Sequence, residues 1–275
     1  MIATCVRGGG WQRRGVWLLM AGALLSGCAS TAGERNLDAT SQFAQREVGV
    51  PVGWTVSQAA IVAAQERARA LLVEPLTAAG AVEIALRYSP GFQAILADSA
   101  AASAASSQSA RLPNPLLSFG RLAAGDTREI DRALSVSLLD FVLWPQRRRL
   151  GDLQQAQHRL RSAGDVVATA LVVRQSWVDA VAAGQSARYA EQVQASAAAT
   201  AELAKRMAAA GNFARIEQAR QQVFWADATS ELARAQLEAA AAREALIRVL
   251  GLSGDLVAAL KLPDRLPDLP AAIGP

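Results

Sequence analysis

The sequence predicts a mainly α fold: a long antiparallel, coiled-coil-like helical hairpin that carries one two-stranded β-hairpin. Three observations predict it. From Gln146 to Ala210 there is no proline, and apolar residues recur at helical spacing through Leu150, Leu153, Leu160, Val167, Leu171, Val178, Val181, Tyr189, Val193, Leu203 and Met207. Gly211-Asn212 then suits a left-handed helix end, and a second helical pattern (Ile216, Val223, Leu237, Ile247) runs from Phe213 to about Leu250. Against this background the stretch Arg132 to Trp144, RALSVSLLDFVLW, alternates with a period of two. Leu134, Val136 and Leu138 would share one face of an extended strand, with Ser135 and Ser137 on the other.

Composition agrees with long helices. The 275 residues are 52% hydrophobic but only 5% aromatic, and much of the apolar content is alanine. Alanine favours helix and buries little surface, so elongated helices packed along small residues are expected rather than a large core.

The elements follow in order. Residues 1–27 read as a secretory leader: Arg13 and Arg14, an apolar run from Val16 to Leu25, then Ser26 and Gly27 before Cys28. That run is too short to span a bilayer. Residues 28–54 are small, polar and unpatterned, and are expected to be a flexible tether. N-terminal helices occupy 55–111. One spans Ser57 to Leu72 and is broken by Glu74-Pro75. The next opens at Thr77, carries Val82, Leu86, Ile95 and Leu96, is interrupted at Ser89-Pro90-Gly91, and becomes almost wholly alanine and serine towards Ala110. Residues 112–144 are expected to form a β-hairpin, with strands at Leu116–Leu122 and from about Ile130, and Gly125-Asp126 as turn signal.

Pro145 starts the helical hairpin, 145–252, in which the basic run Arg147–Arg149 reads as a solvated first turn. About 65 residues give an outgoing helix of roughly 95–100 Å, whereas the return covers only about 57 Å. The helix from Thr77 to Arg111, roughly 50 Å long, would cover the remainder if the two shorter helices stacked end to end. Residues 253–275 form a C-terminal tail.

Charge and chemistry exclude several functions. The 28 basic residues fall to 25, against 24 acidic, once the leader's Arg7, Arg13 and Arg14 are set aside. That balance is no footprint for a phosphate backbone, so no nucleic-acid partner is expected. No phosphate-binding glycine loop, metal-ligand spacing or nucleophile elbow occurs, and a lone His158 builds no histidine triad, so no enzyme activity and no metal is expected. Asp140 has two readings, facing a lumen at the base of a barrel or capping the approach to Pro145.

The segment LSGC ending at Cys28 resembles a bacterial lipobox. This resemblance implies cleavage before Cys28 and covalent lipid on that cysteine, the one non-protein group expected. Ala29 at the next position resembles lipoproteins sorted to an outer membrane. PLTAAGAVEIALRYSP (75–90), ARLPNPLLSFG, LSVSLLDFVLWPQRRR, AAAGNFARIEQARQQ and ALIRVLGL, in that order, resemble one repeat of the outer-membrane factors, the TolC-like exit ducts of efflux and secretion systems.

The family's implied fold is a trimer of double repeats, closing a barrel in the outer membrane above a periplasmic helical tunnel. The resemblance implies that this chain is a lipid-anchored outer-membrane channel component reaching into the periplasm, passively exporting small molecules or metal ions. It further implies a periplasmic adaptor docking at Gly211, Asn212 and Phe213, and an inner-membrane pump coupled indirectly. Leu134, Val136 and Leu138 would face outer-membrane lipid, and Phe141 and Trp144 would mark the interface belt. Only the first repeat is matched. Self-association of about six copies, a second-repeat partner, or a truncated non-functional product are the open alternatives for assembly. A periplasmic adaptor and a structural coiled-coil lipoprotein are the alternatives for function.

Overall fold

The structure is a computed structural model that describes residues 32–112, 114–124 and 127–268. The leader, Cys28 and the Gly125-Asp126 turn lie outside the described residues. Helices dominate: α1 (Ala32–Glu47), α2 (Gln58–Leu71), α3 (Ala78–Arg87), α4 (Pro90–Ser109), α5 (Leu138–Ala209), α6 (Arg215–Leu250) and a short α7 (Asp255–Ala259). Strands β1 (Leu116–Ala124) and β2 (Thr127–Ser135) form one antiparallel sheet. The fold is thus mainly α, a long helical hairpin with a β-hairpin.

Local chemistry sets most boundaries. The hydroxyl of Ser57 accepts from the Ala60 N–H, and that of Thr77 from the Gly80 N–H, so each side chain caps the free amides of a helix start. Pro90 sits at the first position of α4, where its missing N–H costs nothing. α5 and α6 both end in the same two-bond turn. Gly211 N–H bonds to Ala208 O and Asn212 N–H to Met207 O; Gly251 N–H bonds to Arg248 O and Leu252 N–H to Ile247 O. Both glycines are left-handed, at φ +76° and +69°.

The chain divides into two compact units. The first contains the described residues of 32–36 and 100–155. Within it, Gln155 on α5 clamps α4: its amide donates to Ser103 O and Ser106 Oγ, and its Oε1 accepts from Ser103 Oγ. The absent side chain of Gly151 leaves room for Ala110.

The second unit contains residues 37–99 and 156–268. Its core gathers Leu72 and Leu76, Ile84 and Leu86 of α3, Val166, Val173 and Trp177 of α5, Leu246 and Leu250 of α6, and Leu256 of α7. Each fully buried aliphatic side chain contributes about 1.5–3 kcal/mol. Beyond this core, α5 buries Ala190, Ala197, Ala201 and Ala204, and α6 buries Ala228 and Ala235. These alanines, largely seven residues apart, let the hairpin's helices approach closely.

Four expectations are corrected. Residues 32–47 of the expected tether are helical and bury Asn36, Thr40 and Ala44, one turn apart on a single face. Val48, Val50, Val52 and Trp54 then pack on the core. Small polar residues hid this face, because period carries little contrast when the buried residues are not apolar. Secondly, the alternating run does not stay extended. β2 stops at Ser135, and α5 starts at Leu138 with Ser137 Oγ accepting from the Asp140 N–H. Val136 and Leu138 are therefore not on a strand face with Leu134, and Phe141 and Trp144 lie on a helix. Thirdly, Pro145 sits inside α5 rather than starting it. Lastly, the residues after 252 are not merely a tail. Leu256 and Leu260 are buried, and Lys261 O accepts from the Leu76 N–H.

The seam of the long helix also differs from the reading of its large residues. Leu150, Leu153, Leu160, Val167, Leu171, Val178, Tyr189, Leu203 and Met207 are exposed, and of the expected seam Val181 is buried. The chain packs its α5–α6 hairpin through alanines and presents the larger apolar residues outward.

Candidate functional site

Three surfaces carry the residues singled out in the sequence, and they are described separately. The first is the β-hairpin. Its register pairs Leu117 with Leu134, Phe119 with Arg132 and Arg121 with Ile130 on one face, and Ser118 with Ala133 and Gly120 with Asp131 on the other. Side chains alternate across a strand, so Leu134 shares a face with Leu117, Phe119 and Ile130, whereas Ser135 lies on the opposite face with its partner Leu116 and with Ser118 and Ala133. Phe119 is 70% and Leu134 68% exposed. Two arginines, Arg121 and Arg132, also lie on the apolar face. Among the described residues each strand pairs with one neighbour, which leaves one edge of each free.

The second surface is the start of α5. Leu138, Leu139, Phe141 and Val142 are all strongly exposed, Leu138 at 80%. At 100° per residue these positions fall within an arc of about 160°, a single apolar face of the helix. Asp140 pairs with Arg147 across Pro145, and the Arg148 guanidinium lies over the Trp144 ring, 5.7 Å from its centroid. These two links span the turn in which the proline cannot donate its backbone hydrogen bond. Asp140 is thus an ion-pair partner at a helix start that Ser137, not Asp140, caps.

The third surface is the α5–α6 hairpin and its tip. Gly211 and Asn212 are exposed, Phe213 is half-buried, and no side chain caps Ala214. Along the hairpin, a groove of about 650 Å³ is floored by Ala190, Ala228 and Ala235 and walled by Tyr189, Val193, Glu231 and Glu238. It exists because alanines seven residues apart bring the two helices together below larger flanking side chains. Sequence reasoning missed this groove, although the repeat of alanine at 190, 197 and 204 was its signal.

Other expected features are dispersed. His158 is half-buried on α5, where its carbonyl accepts from Ser162 Oγ at 2.9 Å. Among the described residues no three His, Cys, Asp or Glu side chains gather in a way that could hold a metal ion. The perturbed carboxylates are in surface ion pairs. Arg67 binds Glu83 through two hydrogen bonds, of 2.7 and 3.0 Å, and holds its carboxyl below the usual range against the opposing effect of burial.

By length and composition α5 is apolar enough to cross a membrane. Val166, Ala170, Val173, Trp177, Ala180 and Val181 of that helix are buried in the second unit's core, while only 33% of its most apolar window is buried. No known protein family and no curated protein matches the chain in sequence. In structure, it is similar to a membrane protein from Pseudomonas aeruginosa, with a TM-score of 0.57 and 22% identity. The likeness covers 83% of this chain and 55% of that one, so the chain spans about half the length of its solved neighbour. At this identity the likeness is one of fold.

Proposed function

We propose that the chain is a membrane-associated duct component of the outer-membrane-factor type, a repeat that contributes strands to a barrel and helices to a periplasmic tunnel. The observation that carries this reading is the division of the β-hairpin into a face bearing Leu117, Phe119, Ile130 and Leu134 and a less apolar face bearing Ser118, Ala133, Asp131 and Ser135 together with Leu116 at its end, followed directly by the long helix α5. Apolar-out and polar-in alternation is what a barrel between lipid and water demands. Arg121 and Arg132 are accommodated on the lipid side if their long side chains reach the headgroup level. The fold's likeness to a membrane protein supports the same reading.

The free outer edges of β1 and β2 cannot stand in hydrocarbon, where each unpaired amide or carbonyl costs several kcal/mol. The hairpin therefore enters a bilayer together with further strands that pair with these two edges. Conduction is passive, and export energy comes from an inner-membrane pump acting through an adaptor that docks at Gly211, Asn212 and Phe213. Lipid on Cys28 tethers the chain to the outer membrane. An adaptor role is less well supported, because among the described residues the one sheet is this two-stranded hairpin and its flanks are helices.

The test uses Leu134→Cys and Ser135→Cys proteins in membranes from expressing cells. Ser135→Cys should react with a water-soluble maleimide and Leu134→Cys should react only with a lipid-soluble one. Equal labelling of both by the water-soluble reagent would remove the barrel from the account.

A further inference from the structure

We infer that the start of α5 is an anionic-phospholipid docking belt, in which Arg148 and Arg149 bind headgroup phosphates while the turn before them sits at the hydrocarbon edge. This inference rests on the membrane reading above and adds to it a class of lipid.

The geometry is a repeat of seven. Asp140 lies seven residues before Arg147, Phe141 before Arg148, and Val142 before Arg149. Seven residues are nearly two full turns, so the members of each couple share a helix face about 10.5 Å apart along the axis. The first couple is closed by its own ion pair, Asp140 to Arg147. The other two each set an exposed apolar side chain below an exposed guanidinium. Phe141 and Val142 are 63% and 72% exposed, too apolar to be left in water together with Leu138 and Leu139 for no partner.

The polar layer on each side of a bilayer is about 5–7 Å thick, so with the apolar turn a few Å inside the hydrocarbon edge a spacing of about 10 Å sets the guanidinium groups among the phosphates. Trp144 lies between the two levels, where aromatic rings collect, and its ring holds Arg148 in place. Three consecutive arginines fan over about 200° of the helix at one height, a belt rather than a point. The nearest further acid in sequence, Asp152, comes after the belt, on the side away from the apolar turn. A solvated helix start explains the arginines but not the exposed apolar turn that precedes them; a zwitterionic surface explains the apolar turn but gives the arginines no preference.

The experiment is flotation of the purified full-length chain with phosphatidylcholine vesicles and with vesicles containing 30% phosphatidylglycerol, comparing wild type with Arg148→Gln/Arg149→Gln. An arginine near an anionic surface is worth about fivefold in partitioning. The double variant should therefore lose about 25-fold of its binding to anionic vesicles and little of its binding to neutral ones. Arg148→Lys/Arg149→Lys should keep most of the preference, and raising salt should abolish the wild-type preference. Circular dichroism of the exposed-site variants checks that the helix is intact. Equal wild-type binding to both vesicle types at low salt would overturn the headgroup assignment and leave the membrane reading in place. Binding to neither would overturn both.

Discussion

The indole N–H of Trp177 donates to the carbonyl of Leu76 at 2.7 Å, joining the middle of α5 to the link between α2 and α3 across 101 residues. The Leu76 N–H in turn donates to Lys261 O at 2.8 Å, so one residue's backbone holds three segments that are remote in sequence. Trp177 is 4% and Leu76 1% exposed. Trp177→Phe keeps an aromatic ring but leaves a buried carbonyl without its donor, which should cost about 1–3 kcal/mol, and Trp177→Ala about 3–5 kcal/mol. Denaturant unfolding followed by circular dichroism checks this. A Trp177→Phe protein as stable as wild type would show that the hydrogen bond is replaceable.

The two left-handed glycines should respond differently to alanine. Around Gly211 a new Cβ meets nothing within 4 Å, so Gly211→Ala should cost only the conformational strain, about 1 kcal/mol. At Gly251 the Cβ would fall 2.5 Å from Pro90 Cδ and 3.3 Å from Ser89 Cα, and Gly251→Ala should cost about 3 kcal/mol. Parallel melts of the two variants give the comparison; equal losses would mean that the Pro90 wall yields.

Gln155 should matter more than its position on a long helix suggests. Gln155→Leu preserves bulk but removes the hydrogen bonds to Ser103 and Ser106, and should destabilise the first unit by about 1–2 kcal/mol. Hydrogen exchange at residues 100–110 should quicken in that variant while exchange at Val173 and Trp177 stays unchanged.

The ion pair of Arg67 and Glu83 has a defined pH window. Glu83 is held below the ordinary carboxylate range, chiefly by the Arg67 hydrogen bond, with Arg87 Nε at 3.7 Å adding its charge. A carboxylate whose folded pKa is depressed stabilises the fold above its unfolded pKa, about 4.3, and that contribution disappears as pH falls through the folded value. The stability difference between wild type and Glu83→Gln should therefore be constant near neutrality and shrink below about pH 4.3. A difference that grows in acid would reverse the assignment. Because Arg67 is half-exposed at the surface, the effect should be small.

Much of the element order is legible in the sequence because its causes are local. Ser57 and Thr77 cap the helices they precede, Pro90 opens α4, and Gly211 and Gly251 end α5 and α6, each through groups within a few residues of one another. The candidate membrane strand was half legible. Leu134 and Ser135 do fall on opposite faces of β2, but Ser137 can act either as the next strand residue or as a helix cap, and the helix that follows took it. Alternation over three residues does not distinguish the two.

The sequence by itself determined where α2, α3, α4 and α6 start and where α5 and α6 stop, that a hairpin of strands lies between them, and that the outgoing helix is long, but not α1, α7 or the start of α5 at Leu138. Only the tertiary structure decided which helix faces are covered. On α5 the large residues Leu160, Val167, Leu171 and Val178 suggested the seam, yet Ala190, Ala197, Ala201 and Ala204 are buried and those four are exposed. Period and caps arise from neighbours along the chain, whereas burial depends on what approaches from elsewhere, and a close helix pair favours the smallest side chains at its contact. The same reason hid α1, whose buried Asn36, Thr40 and Ala44 carry no apolar stripe. It also leaves the outward leucines and valines, together with Phe141 and Val142, exposed.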